Sequence, residues 1–160
     1  MIDFTPIIPA ADREGDFLVA KMRENLDSAN ANATRRTRNS LRSETQVDRG
    51  RVRVSIFGKD TSRFTDQGRG PGKRPPIEPI RVWVLAKGLT NDPQEAGGIA
   101  FAVARKIGRE GTNKPPSEFA TKVIQNDLPR SAARLRGAVL QELFRILPAL
   151  LRQGAGFNPQ

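Results

Sequence analysis

Between Val47 and Phe57 the chain reads Val-Asp-Arg-Gly-Arg-Val-Arg-Val-Ser-Ile-Phe, and this stretch restricts the fold more than any other. Val52, Val54 and Ile56 alternate with Arg51, Arg53 and Ser55. That period of two predicts a strand with one face covered and one face wet. Asp48 and Gly50 stand just before it, where a helix would stop and a turn begin. Lys59-Asp60 after Gly58 suits a hairpin turn, with residues 62–65 as a short return strand. An α+β fold follows, a small antiparallel sheet flanked by helices.

Upstream, residues 13–46 contain no proline, and Gly15 is the only glycine. Leu18, Met22, Leu26, Ala29 and Ala33 follow a helical stripe. Beyond Ala33 the stripe thins to Leu41 among Asn, Thr and Arg. A helix running to Gln46 would extend roughly 50 Å. Its back half has too little apolar surface to rest on its own core, so it needs a partner or it frays. Residues 1–12 carry Phe4, Ile7 and Ile8 around Pro6 and Pro9. Prolines at that spacing predict an extended arm, either tucked against the parent domain or inserted into a neighbour.

Downstream, Asp66-Gln-Gly-Arg-Gly-Pro-Gly-Lys-Arg-Pro-Pro76 predicts an irregular basic loop. Residues 77–89 read as a short helix with Gly88 at its C-terminal cap. Asp92 is the clearest start signal in the chain, an N-cap followed by Pro93 and Glu95. Ala96, Ile99, Ala100, Val103, Ala104 and Ile107 then line one face, predicting a helical hairpin with the preceding helix. A second basic loop, Gly111-Thr-Asn-Lys-Pro-Pro116, precedes a helix capped by Ser117. After Pro129 an amphipathic helix presents Leu135, Val139, Leu143, Ile146 and Leu150, and residues 153–160 form a flexible tail. Residues 13–152 are expected to be one domain.

Composition narrows the chemistry. The 160 residues contain no cysteine and no histidine, which removes disulfides, thiolate chemistry and the usual neutral-pH base and metal ligand. Trp83 is the sole tryptophan and there is no tyrosine, so the core should be aliphatic, with neighbouring subunits supplying part of the stability. No secretory signal or bilayer-length apolar run is visible, so the chain is expected to be soluble and made in the cytoplasm. The net charge of +10 is carried mainly by arginine and suits either DNA or an acidic protein surface.

Candidate chemistry is sparse. Gly68-Arg-Gly-Pro-Gly-Lys-Arg74 has the glycine density of a phosphate loop, but Gly72-Lys73 is followed by Arg74-Pro75-Pro76. The hydroxyl residue and the helix start of a nucleotide site are both missing there. Asp60, Asp66 and Glu78 share no helix face and read as solvated or arginine-paired carboxylates. No enzyme activity, cofactor or metal is expected. DNA binding is the serious competitor, because Arg35, Arg36, Arg38, Arg42, Arg49, Arg51 and Arg53 would neutralise phosphates. No base-reading element accompanies them.

Val47-Asp-Arg-Gly-Arg-Val-Arg-Val-Ser-Ile56 resembles the helix-to-strand junction of the tail-completion, or minor tail protein Z-like, family of tailed bacteriophages. Members show Val-Asp-Thr-Gly-Arg-Leu before a strand, directly after a long basic helix. Gly111-Thr112-Asn113-Lys114-Pro115-Pro116 with Phe119 is similar to a later Gly-Thr-Lys-Pro-Arg-Pro-Phe element. The loop at Gly70–Pro76, the helix with Trp83, and the run Ala100–Ile107 follow the same order. The resemblance covers residues 13–123, with Arg49 in place of Thr and Ser117-Glu118 separating Pro116 from Phe119. It implies a non-enzymatic virion protein at the head–tail junction, a homo-oligomeric ring joining the tail to the DNA-filled head. Its partners would be other neck, connector and tail-tube proteins, with non-specific contact to packaged DNA and no membrane. The alternative is a basic DNA-binding protein of phage or nucleoid type. On this reading the arm and long helix make subunit contacts through Phe4, Ile7, Ile8, Arg35, Arg36, Arg38 and Arg42. The loops dock adjoining rings through Arg69, Lys73, Arg74 and Lys114.

Overall fold

The computed structural model describes residues 5–31, 33–48, 51–112 and 115–154. The fold is α+β, with a long N-terminal helix, a two-stranded antiparallel sheet, a helical hairpin and C-terminal amphipathic helices. Two compact units divide the chain. One comprises residues 1–20, 42–57 and 123–160, and the other residues 21–41 and 58–122.

Residues 5–12 are helical rather than extended. Thr5–Ile7 forms a 3-10 turn and α1 runs Ile8–Ser28. Pro9 sits in the first turn of α1, where backbone N–H groups have no helical partner, so proline sacrifices no hydrogen bond. The helix ends at Ser28 because Asn30 adopts a left-handed conformation, φ 47°. Ala31 N then donates to Leu26 O at 3.0 Å and Asn30 N to Asp27 O at 3.0 Å. This is the Schellman pattern, with asparagine in the place glycine usually takes.

The expected helix across residues 13–46 is therefore broken. α2 is a short piece, Arg36–Ser40, and β1 occupies Arg42–Asp48. β2, Arg51–Phe57, is the strand that alternation predicts, and its partner lies before it rather than after it. Ser43, Thr45 and Val47 pair with Ile56, Val54 and Val52, so the two strands share one apolar-leaning face. Residues 62–65, expected as a return strand, lie in α3, Ser62–Gln67.

In the first unit, the hairpin approaches α1 at Gly15. A Cβ there would stand 2.8 Å from Ser43 Cβ and 3.0 Å from Val54 Cγ1. Only glycine admits that approach, which explains its presence inside a helix. Ser43 Oγ donates to Asp16 Oδ1 at 2.7 Å beside it. Ile7, Ala11, Leu18, Val19 and Val123 are buried here. α7, Leu128–Gly154, begins with Pro129 in its first turn, so this proline starts the helix instead of kinking one.

In the second unit, α4, Ile77–Ala86, and α5, Pro93–Glu110, pack as the expected hairpin. Gly88 caps α4 at φ 66°, with Leu89 N donating to Val84 O at 3.2 Å. Asp92 caps α5 by accepting from Gln94 N at 2.8 Å. Ala96, Ala100 and Ala104 are buried at a spacing of four, presenting a small-residue stripe to the fully buried Val84. Met22, Leu26, Leu41 and Phe119 complete the buried apolar set of this unit. Replacing Gly15 by Ala should lower Tm by several degrees, because backbone or strand must move to admit the methyl. Ala at Gly97, which has open space, should leave Tm unchanged or raise it, and differential scanning calorimetry of both variants checks the contrast.

Candidate partner interface

The two glycine- and proline-containing loops, read separately in the sequence, are joined within the second unit. Thr112 N donates to Arg69 O at 2.8 Å, and Arg69 N donates to Thr112 Oγ1 at 2.9 Å. Gly72 N donates to Gly108 O at 2.8 Å. Gly111 makes the join possible: its φ is 79°, and a Cβ on it would lie 2.3 Å from Arg69 O. Two backbone donors of the glycine-rich stretch, Arg69 N and Gly72 N, are thus spent on Thr112 and on Gly108 of α5.

Asp66 organises the start of α6, Phe119–Asn126. Its Oδ1 accepts from Ala120 N at 2.8 Å and Thr121 N at 3.3 Å, and Oδ2 accepts from Thr121 Oγ1 at 2.7 Å. Asp66 is buried, and its own carbonyl accepts from Glu118 N at 2.9 Å. The carboxylate does the work of an N-cap from a remote segment, at the positive end of the helix dipole. The expectation of a solvated or arginine-paired group is corrected accordingly. Ser117, expected as the cap, is buried and instead donates through Oγ to Thr65 O at 2.7 Å.

The structure separates the predicted interface residues. Ile7 is buried in its own chain and Ile8 half-buried, whereas Phe4 and Lys114 lie outside the described residues. Arg38 Nε pairs with Asp27 Oδ2 at 3.2 Å. Arg42 pairs with Glu44 at 3.0 Å and stands 4.9 Å from the Phe57 ring centre, so it braces the hairpin. Arg35 and Arg36 are exposed. Lys73 and Arg74 are exposed on the loop, and Arg69 donates to Lys73 O.

A surface that the sequence reading passed over lies on α7. Leu140, Phe144, Leu147 and Leu151 follow one another at intervals of four, three and four, with exposures of 53%, 71%, 45% and 64%. That spacing is the seam of a helix-to-helix contact. Of the face expected to be covered, Leu135, Val139 and Ile146 are half-buried and Leu143 is exposed, while the side chain of Leu150 lies outside the described ones. The helix is apolar on two sides, and reading a single stripe concealed the second.

In the same unit, Arg134 grips Glu14 with both forks, Nε to Oε1 at 2.6 Å and Nη2 to Oε2 at 2.7 Å. Its guanidinium lies 4.8 Å from the Phe17 ring centre and donates to the Oγ of buried Ser131 at 3.2 Å. This pair ties α7 to α1.

Comparison with protein-family models, with curated proteins and with solved structures finds no match. Among the described residues, no group of acidic side chains is placed to hold a metal ion, and no helix is long and apolar enough to cross a membrane.

Two predictions follow from these contacts. Asp66→Ala should cost about 1–3 kcal/mol in urea unfolding, with Asp66→Asn recovering part of the loss by keeping one acceptor oxygen. The hydrogen bond from Arg134 is the main cause holding the Glu14 carboxyl below its ordinary 4.5, against the opposing effect of burial. The ionised form is therefore the stabilised one, so the contribution is present at neutral pH and lost as pH falls through the depressed value. Glu14→Gln should be less stable than the wild type at pH 7, and the gap should close on acidification below 4.5.

Proposed function

We propose that this chain is a structural subunit of a phage neck or tail, completing the tail and joining it to the DNA-filled head as a ring. The observation carrying a structural role is the exposed seam Leu140, Phe144, Leu147 and Leu151 on α7. Large apolar side chains arrayed on one helix face mark a contact surface rather than a solvated one. A head-to-tail contact of this kind generates a ring when its rotation closes.

The assignment to phage necks rests on the ordered motifs from Val47 to Phe119, and to the two departures in sequence the structure adds a third. Val47-Asp48 and Arg51–Ile56 lie in two paired antiparallel strands, with β1 where the resemblance implies the end of a long basic helix; Arg49 lies outside the described residues. The loops and the helical hairpin between them retain the order that the resemblance describes. The alternative, a basic DNA-binding protein, loses part of its sequence basis, since Arg38 and Arg42 are held by carboxylates of their own chain.

Each fully buried side chain of this size contributes roughly 1.5–3 kcal/mol. Phe144→Glu with Leu147→Glu should therefore weaken self-association by about 100-fold or more in sedimentation analysis, with an unchanged circular dichroism spectrum. Electron microscopy of particles made without this protein should show packaged heads separated from finished tails. Intact, infectious virions would overturn the joining role.

A further inference from the structure

The second unit carries a concentration of positive charge that its own carboxylates leave unpaired. Arg69, Lys73 and Arg74 come from the loop before α4, and Arg105, Lys106 and Arg109 from the second half of α5. Among the described residues, none of these six has a carboxylate within ion-pair distance. They are brought together by backbone, not by chance of rotamer. Gly72 N is bonded to Gly108 O, and a Cβ on Gly108 would sit 3.5 Å from Arg74 Cα. The loop therefore lies along α5, and the Arg74 guanidinium reaches 5.9 Å from the Phe101 ring centre.

Phe101, Arg105 and Arg109 recur every fourth residue on one helix face, with Ala102 and Lys106 beside them, and together with Glu110 they line a shallow groove. Successive side chains on such a face stand about 5–6 Å apart. The half-exposed Phe101 ring forms part of the groove.

We infer that this groove binds the phosphate backbone of a nucleic acid without regard to sequence. A row of exposed arginines and a lysine, with no hydrogen-bonding side chain placed to read bases, matches the chemistry of phosphate neutralisation. The gain comes from releasing the counterions condensed on a polyanion, a source that a folded acidic protein surface supplies far more weakly. Arginine forks add bidentate hydrogen bonds to phosphate oxygens. Glu110 is the one carboxylate lining the groove and opposes binding. The groove is built on α5 and the seam on α7, and the inference holds whether or not the chain is a ring subunit.

The test is fluorescence anisotropy with a labelled DNA duplex of about 20 base pairs, titrated with the full chain across salt concentrations. With Lys73, Arg74, Arg105, Lys106 and Arg109 engaging about five phosphates, affinity should fall roughly 500-fold between 50 and 200 mM salt. Arg105→Gln with Arg109→Gln should reduce the log–log salt slope by about 2. Arg35→Gln with Arg36→Gln removes the same net charge elsewhere and should change the slope by much less. Glu110→Gln should tighten binding. Equal losses in the two double variants would overturn the groove as the site, leaving only the general field of the protein. Absence of duplex binding at 50 mM salt would overturn the inference outright. Binding of poly-glutamate but not of duplex, with the same dependence on Arg105 and Arg109, would also overturn it and assign the groove to an acidic protein.

Discussion

A buried carboxylate with hydrogen-bond partners but no ion pair holds the second unit together. Asp66 ends α3 and starts α6 at once, because its side chain satisfies backbone donors that a helix cannot satisfy for itself. Removing those acceptors would leave two N–H groups stranded. The loop between Asp66 and α4 inherits its position from this anchor. Ser117 and Glu118 are bonded to Thr65 and Asp66 on one side, while Thr112 is bonded to Arg69 on the other. Loops that are unstructured by composition become fixed because each supplies the hydrogen bonds that the other lacks.

This arrangement has consequences for charge. Joining the loops engages Arg69 N and Gly72 N of the glycine-rich stretch within the chain. It also presses Arg74 onto Gly108 and aligns the loop's cations with those of α5. Three arginines elsewhere are structural. Arg134 clamps Glu14, Arg38 meets Asp27, and Arg42 packs over Phe57. A net charge of +10 is therefore not one uniform field: among the described residues five arginines, Arg38, Arg42, Arg81, Arg134 and Arg145, are paired with carboxylates, and a larger set is not.

The apolar residues divide in the same way. Small side chains, Ala96, Ala100 and Ala104, are buried in the helical hairpin, while Phe144 and Leu151 on α7 remain largely exposed. With few aromatics, the chain covers its close-packed seams with alanine and glycine. Some larger side chains, Phe119 and Leu26 among them, are buried as well, while those of the α7 seam stay exposed. The exposed α7 seam supports the structural role proposed for the chain.

Local signals in the sequence were sufficient wherever a helix or strand is specified by its own residues. Asp92 with Pro93 started α5, Gly88 ended α4, and the alternation from Arg51 to Ile56 specified β2. Asn30 was a legible stop, since asparagine tolerates the left-handed conformation, but it was outweighed by the lack of proline and glycine around it. Pro6 and Pro9 misled because proline breaks a helix interior yet fits its first turn. β1 was hard to read, because Arg-Ser-Glu-Thr-Gln-Val-Asp alternates small and β-branched residues with charged and amide ones but carries a single large apolar side chain, Val47, and is completed by pairing with β2. The cap on α6, the joined loops and the groove on α5 were equally hidden. The sequence by itself determined the α+β class, the helical hairpin and the basic, cysteine- and histidine-free chemistry. Tertiary structure alone decided which charges are paired and which apolar face stays open, because hydrogen bonds and ion pairs join residues that sequence distance keeps apart.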